Sequence, residues 1–223
     1  RVRSRLVSRR TATVNQNRAF LIEQGIAVRT GMHALRTSLF AILEKRADEI
    51  SPRMSQLIVG LYEDWLWLDE RIESITGEIE LVSKHEANCQ RLMSIPGIGP
   101  IISTAMVAAI GTGEAFGRGR DFGAWLGLVP RQYSTGGKTV LGRISKRGSK
   151  YLRTLFIQAA HVILMRPQNW ERFSFGPWLL EISTRMHRNK LATALANNLA
   201  RIAWSVLAHR KAFDTDKTKV TAI

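Results

Sequence analysis

Between Met54 and Val82, nine apolar residues recur at alternating steps of four and three: Met54, Ile58, Leu61, Trp65, Leu68, Ile72, Ile75, Ile79 and Val82. No strand has that period. It matches one stripe of a single helix held for about four heptads, the pattern of a coiled coil. The exposed edge of such a helix has to be covered, either by a second chain or by helices of the same domain, and the spacing fits both. Acidic residues flank the stripe (Glu63, Asp64, Asp69, Glu70, Glu73, Glu78, Glu80), as on a solvated or partner-facing helix. Ser51-Pro52 marks its start, because proline in a first turn gives up an N–H that has no helical partner there.

The remainder also reads as helices. Residues 1–24 place Val2, Leu6, Val14 and Leu21 at loose helical spacing, with Gly25 as a stop, and a second helix is predicted from Met32 to about Ile50. Downstream of the seam, an apolar helix runs into Ser94-Ile95-Pro96-Gly97-Ile98-Gly99 and then into an Ala-rich helix ending near Gly111, which together read as a helix-hairpin-helix. Gly97 and Gly99 leave peptide N–H groups bare where a phosphate can sit, or allow close packing against the basic segment further on; a plain tight turn is the alternative. A short apolar stretch, Trp125 to Val129, is halted by Pro130. It is followed by a glycine-rich loop from Arg131 to Lys138, a basic run from Gly142 to Gly148 and a helix from Ser149 to Leu164. Two last helices are predicted around Pro177–Met186 and Lys190–His209, the latter with a core-facing stripe of Leu191, Leu195, Leu199, Ile202 and Val206. The predicted fold class is mainly α, a coiled-coil helix followed by a helical DNA-binding domain that contains the helix-hairpin-helix. The expected boundaries are 1–50, 51–90 and 91–223.

Charge separates these segments. Residues 1–90 carry 13 basic and 12 acidic side chains, a net of +1, whereas 91–223 carry 20 and 6, a net of +14. From Asp121 to Glu171 there is no acidic residue in between, while eight Lys or Arg fall in that interval. A stretch purged of carboxylates points to phosphate contact, and therefore to a nucleic-acid partner. Cys89 is the sole cysteine, which excludes an intramolecular disulfide framework and a cysteine zinc site and fits a reducing cytoplasm. No apolar run approaches a membrane span.

The loop at 131–149 admits three readings. Gly137-Lys138-Thr139 looks like the end of a phosphate-binding P-loop, but that motif needs glycine at 132, where Gln132 stands, and a preceding strand that Pro130-Arg131 interrupts. The second reading is a structural turn whose hydroxyls cap local backbone. The third makes Ser134 a nucleophile towards a DNA phosphodiester, with Arg131, Lys138, Arg143, Lys146, Arg147, Lys150 and Arg153 supplying positive charge for the transition state. No base or metal set accompanies it: His33, His85, His161, His187 and His209 show no ligand spacing, and His161 sits in an apolar helix. On chemistry alone the turn ranks first.

Four blocks change that ranking. Ser94-Ile95-Pro96-Gly97-Ile98-Gly99, Phe122-Gly123-Ala124-Trp125-Leu126-Gly127-Leu128-Val129-Pro130-Arg131, Ser134-Thr135-Gly136-Gly137-Lys138 and Gly142-Arg143-Ile144-Ser145-Lys146-Arg147-Gly148 occur in this order. Together they resemble the C-terminal domain of bacterial insertion-sequence transposases that join a RuvC-like DEDD nuclease domain to a serine-bearing domain, the bridge-RNA-guided recombinases. The resemblance implies that residues 1–50 are trailing helices of the nuclease domain and that 91–223 form the serine-bearing domain. It implies a serine that links covalently to DNA during strand exchange, matched best by Ser134. Thr135 is the alternative, since some relatives place the serine directly before the glycine. It further implies donor and target DNA and a guide (bridge) RNA as partners, a homo-oligomer, a nucleoid-associated protein of the bacterial cytoplasm, and magnesium on acidic ligands expected upstream of Arg1, so no metal ligand is assigned in this chain. The rival from another class is a non-enzymatic helix-hairpin-helix module that recognises DNA structure.

Overall fold

A computed structural model describes residues 1–214. It is mainly helical, with one two-stranded antiparallel sheet, and divides into two compact units, Arg1–Glu78 and the chain from Ile79 onward.

The first unit holds α1 (Val2–Glu23), α2 (Met32–Lys45) and most of α3 (Pro52–His85). Gly25, with φ +72°, follows the end of α1, and the Ser51 hydroxyl accepts a hydrogen bond from Met54 N at the start of α3, so both punctuation marks fall where the sequence puts them. The second helix ends at Lys45, five residues short of the expected Ile50.

The heptad stripe lies on one continuous 34-residue helix, and its centre is covered from within the chain. Ile58 and Trp65 pack with Val14 and Leu21 of α1 and Leu35 and Leu39 of α2, while Leu68 and Ile72 pack with Leu6. Trp65, Leu68 and Ile72 therefore need no partner chain: of the two kinds of cover the spacing allows, helices of the same domain supply it here. Burying each such side chain contributes about 1.5–3 kcal/mol, enough to hold a polar helix like α1 in place. Arg10 and Arg36 both pair with Asp69, at 2.8 and 3.4 Å, and Arg3 Nε donates to Thr76 Oγ1 at 2.7 Å. The covering fades along the stripe: Ile75 is half-buried and Val82 is 57% exposed.

In the second unit α4 (Ala87–Met93) and α5 (Pro100–Ile110) are joined by the Pro96-Gly97-Ile98-Gly99 turn. They are followed by α6 (Gly119–Trp125), β1 (Pro130–Thr135), β2 (Lys138–Ile144), α7 (Lys150–Leu164), a 3-10 turn (Pro167–Arg172), α8 (Gly176–Ser183) and α9 (Arg188–Ala208). The core is organised by α9, which packs on α4, α6, α7 and α8. Its buried Leu191, Leu195, Leu199 and Val206 supply area, and Ala192, Ala196, Ala200 and Ala203 let neighbouring helices come close. Ser149 caps α7 by accepting from Leu152 N, so that helix begins where the sequence places it. Among the described residues, no helix is long and apolar enough to cross a membrane.

Candidate functional site

The segment expected to be a glycine-rich loop is a β-hairpin. Strands β1 and β2 pair through Gln132↔Leu141, Tyr133↔Val140, Ser134↔Thr139 and Thr135↔Lys138. Gly136 and Gly137 form the two-residue turn with φ +57° and +78°, the left-handed pair that a type I′ turn requires. Every residue from Pro130 to Arg143 is exposed, so the ribbon projects with neither face buried. At about 3.3 Å per residue it is roughly 20 Å long. A free ribbon of two strands is marginal in water, and this one is secured at its base.

That fastening gives two of the four sequence blocks, 122–131 and 142–148, a physical purpose. Ser145 N donates to Val129 O at 2.8 Å and Lys146 N to Gly127 O at 3.1 Å. The chain at Gly127 (φ +73°) lies so close to Arg147 that a β-carbon there would sit 2.1 Å from its carbonyl oxygen; one on Gly148 (φ +80°) would sit 1.7 Å from the Trp125 carbonyl oxygen. Arg153 completes the clasp. It is 8% exposed, and its Nη1 donates to Leu126 O at 2.7 Å and Arg147 O at 3.3 Å. The assignment of Arg153 as a nucleic-acid contact is therefore corrected: its guanidinium is turned inward to satisfy two carbonyls.

The other predicted cations remain outside. Arg131, Lys138, Arg143, Lys146, Arg147 and Lys150 are exposed, and among the described residues none of them sits in an ion pair with a carboxylate. Arg131 Nη2 reaches Ser145 O at 3.5 Å. Strand alternation divides the two candidate hydroxyls. Ser134 shares a face with Gln132, Thr139 and Leu141; Thr135 shares the opposite one with Arg131, Tyr133, Lys138 and Val140. Gln132 Nε2 donates to Ser134 Oγ at 2.8 Å, which orients the hydroxyl without taking its proton. None of the ribbon residues on that face, Gln132, Thr139 and Leu141, is a base.

The two glycines of the α4–α5 turn differ. Gly97, at φ +81°, is held against α7, and a β-carbon there would meet Ile163 Cδ1 at 2.9 Å, which is close packing. Gly99 caps α5 with extended backbone and has open space beside its α-carbon, while its carbonyl accepts from Ile102 N and Ser103 N. Cys89 is buried beside Ser103, and burial pushes its thiol above the usual range, so it is no ready nucleophile. Among the described residues no group of three or more His, Cys, Asp or Glu side chains comes together as a candidate metal site.

Comparison with known proteins finds similarity to transposases of insertion sequences. Residues 89–174 match the family described as Transposase IS116/IS110/IS902 family. Similarity extends well beyond that stretch. The chain is 41% identical over 213 residues to the transposase for insertion sequence element IS1328 of Yersinia enterocolitica, covering 96% of this chain and 63% of that protein. It is 40% identical to a probable family 20 transposase of Pseudomonas aeruginosa, with the same coverage of each, and 37% identical to the transposase for IS1111A of Coxiella burnetii, covering 58% of the latter. The chain thus spans less than two thirds of the length of these relatives.

Proposed function

We propose that this chain is the strand-exchange portion of a DNA transposase and that the hairpin presents its nucleophile, Ser134, to a phosphodiester. The observation that carries the reading is the hairpin itself, an exposed ribbon clamped at its base, ringed by cations that have no ion pair among the described residues, and lying inside the stretch that matches the transposase family. In the proposed step Ser134 Oγ bonds to phosphorus, one bridging P–O bond breaks, and the departing sugar oxygen leaves as a hydroxyl. The serine proton passes to a base supplied by another part of the full assembly, since Gln132 cannot accept it. Attack of a second sugar hydroxyl on the phosphoserine diester then rejoins the strand and frees the serine. Lys138, Arg143 and their neighbours hold the phosphates and stabilise the added negative charge of the transition state. Donor and target DNA are the substrates, with a guide (bridge) RNA pairing to both, and a homo-oligomer holds the two sites together. Magnesium belongs to this scheme only through the family resemblance.

One observation favours Thr135 as the alternative nucleophile: it shares its face of the ribbon with Arg131 and Lys138, whereas Ser134 does not. The two are separated by recombination assays with full-length protein. Ser134→Ala is expected to abolish recombination with nucleic-acid affinity nearly intact, because one hydroxyl adds little to a charge-driven interface. Thr135→Ala is expected to recombine. The reverse outcome moves the nucleophile to Thr135, and activity in both variants would leave the hairpin a structural ribbon.

A further inference from the structure

A second basic site lies at the other end of α6 from the hairpin. The seven residues of α6 span about 10 Å. Its C-terminal end feeds the clasp beneath the ribbon, while its start, with α9 and the segment after it, walls a concave pocket of about 680 Å³. Arg118 and Arg120 come from one side, Arg201 from α9 and Lys211 from beyond it. All four are exposed, and among the described residues none is in an ion pair with a carboxylate. Asp214 is the one carboxylate among the described residues of the wall.

The pocket is built rather than incidental. A β-carbon on Gly119 would lie 3.2 Å from the Trp204 ring and 3.3 Å from the Arg201 α-carbon, so the absent side chain is what lets α6 begin this close to α9. Trp204 Nε1 donates to Gly113 O at 3.0 Å, which fixes the ring. Trp204 and Ile202 thus give an apolar wall beneath a rim of cations.

We propose that this pocket holds an unpaired nucleotide segment, its phosphates on Arg118, Arg120, Arg201 and Lys211 and a base against the apolar wall. The inference rests on the nucleic-acid reading of the second unit and adds to it a site for single strands. A duplex presents a convex backbone with its bases stacked inside, so an apolar concavity under a cationic rim serves only a base out of its stack. Arginine suits the rim because its planar fork meets phosphate oxygens in pairs.

The test is fluorescence anisotropy on the full chain with a roughly 12-nucleotide oligothymidylate, an oligouridylate and a duplex of the same length. The comparison sets Arg120→Ala/Arg201→Ala against the hairpin pair Lys138→Ala/Arg143→Ala. The pocket variant is expected to bind the single strands about tenfold more weakly and to lose about 0.7 of salt slope per deleted contact, with duplex affinity changed by less than about twofold. The hairpin variant is expected to weaken duplex binding instead. Stronger loss on the DNA strand or on the RNA strand identifies which one the pocket serves. Unchanged single-strand affinity in the pocket variant, equal losses on single strand and duplex, or equal competition by polyglutamate would overturn the inference. Duplex binding without any single-strand binding by the unmodified chain sinks this inference alone, whereas no binding of either sinks the nucleic-acid reading as well. Both arginines are exposed, and unchanged circular dichroism and Tm confirm the fold of each variant.

Discussion

Gly127 and Gly148 have a structural task within their sequence blocks. Each adopts a left-handed φ and faces a carbonyl of the other's segment at a distance no side chain tolerates. Their service is to bring the two ends of the ribbon together over α7, with Arg153 bonded beneath. Gly127→Ala or Gly148→Ala is expected to cost more than the about 1–3 kcal/mol of an ordinary strained residue and to lower Tm, since backbone would have to move. Gly136→Ala has open space and is expected to cost only about 1 kcal/mol. Thermal denaturation followed by circular dichroism ranks the three, and equal effects would mean that the clasp is not what holds the ribbon. The blocks around these residues were legible in the sequence; their purpose was not, because two peptides meeting across some twenty positions leave no local trace. Arg153 misled for the same reason, as a basic residue in a basic run whose carbonyl partners exist only after folding.

Among the elements, α3 was the easiest to read, since its period is carried by large apolar residues that tertiary packing does not disguise. What covers it was harder to read. In α1 the covering residues Leu6, Val14 and Leu21 are scattered among Arg, Ser and Asn, so its apolar stripe is thin. Leu68→Asp/Ile72→Asp is expected to unfold the first unit, because each substitution leaves a buried, unpaired charge. Val82→Ser, at a position 57% exposed, is expected to change stability by less than about 0.5 kcal/mol. Light scattering with circular dichroism distinguishes the outcomes: a folded, merely dissociated double variant would mean that the seam is an intersubunit surface after all. The hairpin escaped sequence reading because neither face is buried, so no alternation of apolar and polar residues records its period. The readable signal was Gly136-Gly137 between Tyr133-Ser134-Thr135 and Lys138-Thr139-Val140, a two-residue turn flanked by residues that favour strands.

For the whole molecule, charge and fold divide the chain at nearly the same place. The near-neutral first 90 residues include the unit that ends at Glu78, and the +14 of residues 91–223 falls on the unit that carries both the ribbon and the pocket. The pocket could not be read in advance, since Arg120 and Arg201 stand 81 positions apart and only the packing of α6 on α9 joins them. The central claim, that the ribbon forms a covalent bond to DNA, is tested most directly by chemistry on the peptide itself. Trypsin cuts after Arg131 and Lys138, so full-length protein trapped on DNA, then treated with nuclease and trypsin, should release the peptide Gln132–Lys138 with the mass of an attached nucleotide. Fragmentation should place that mass on Ser134. An adduct on any peptide other than Gln132–Lys138, or a trapped complex in which this peptide is unmodified, would contradict the account.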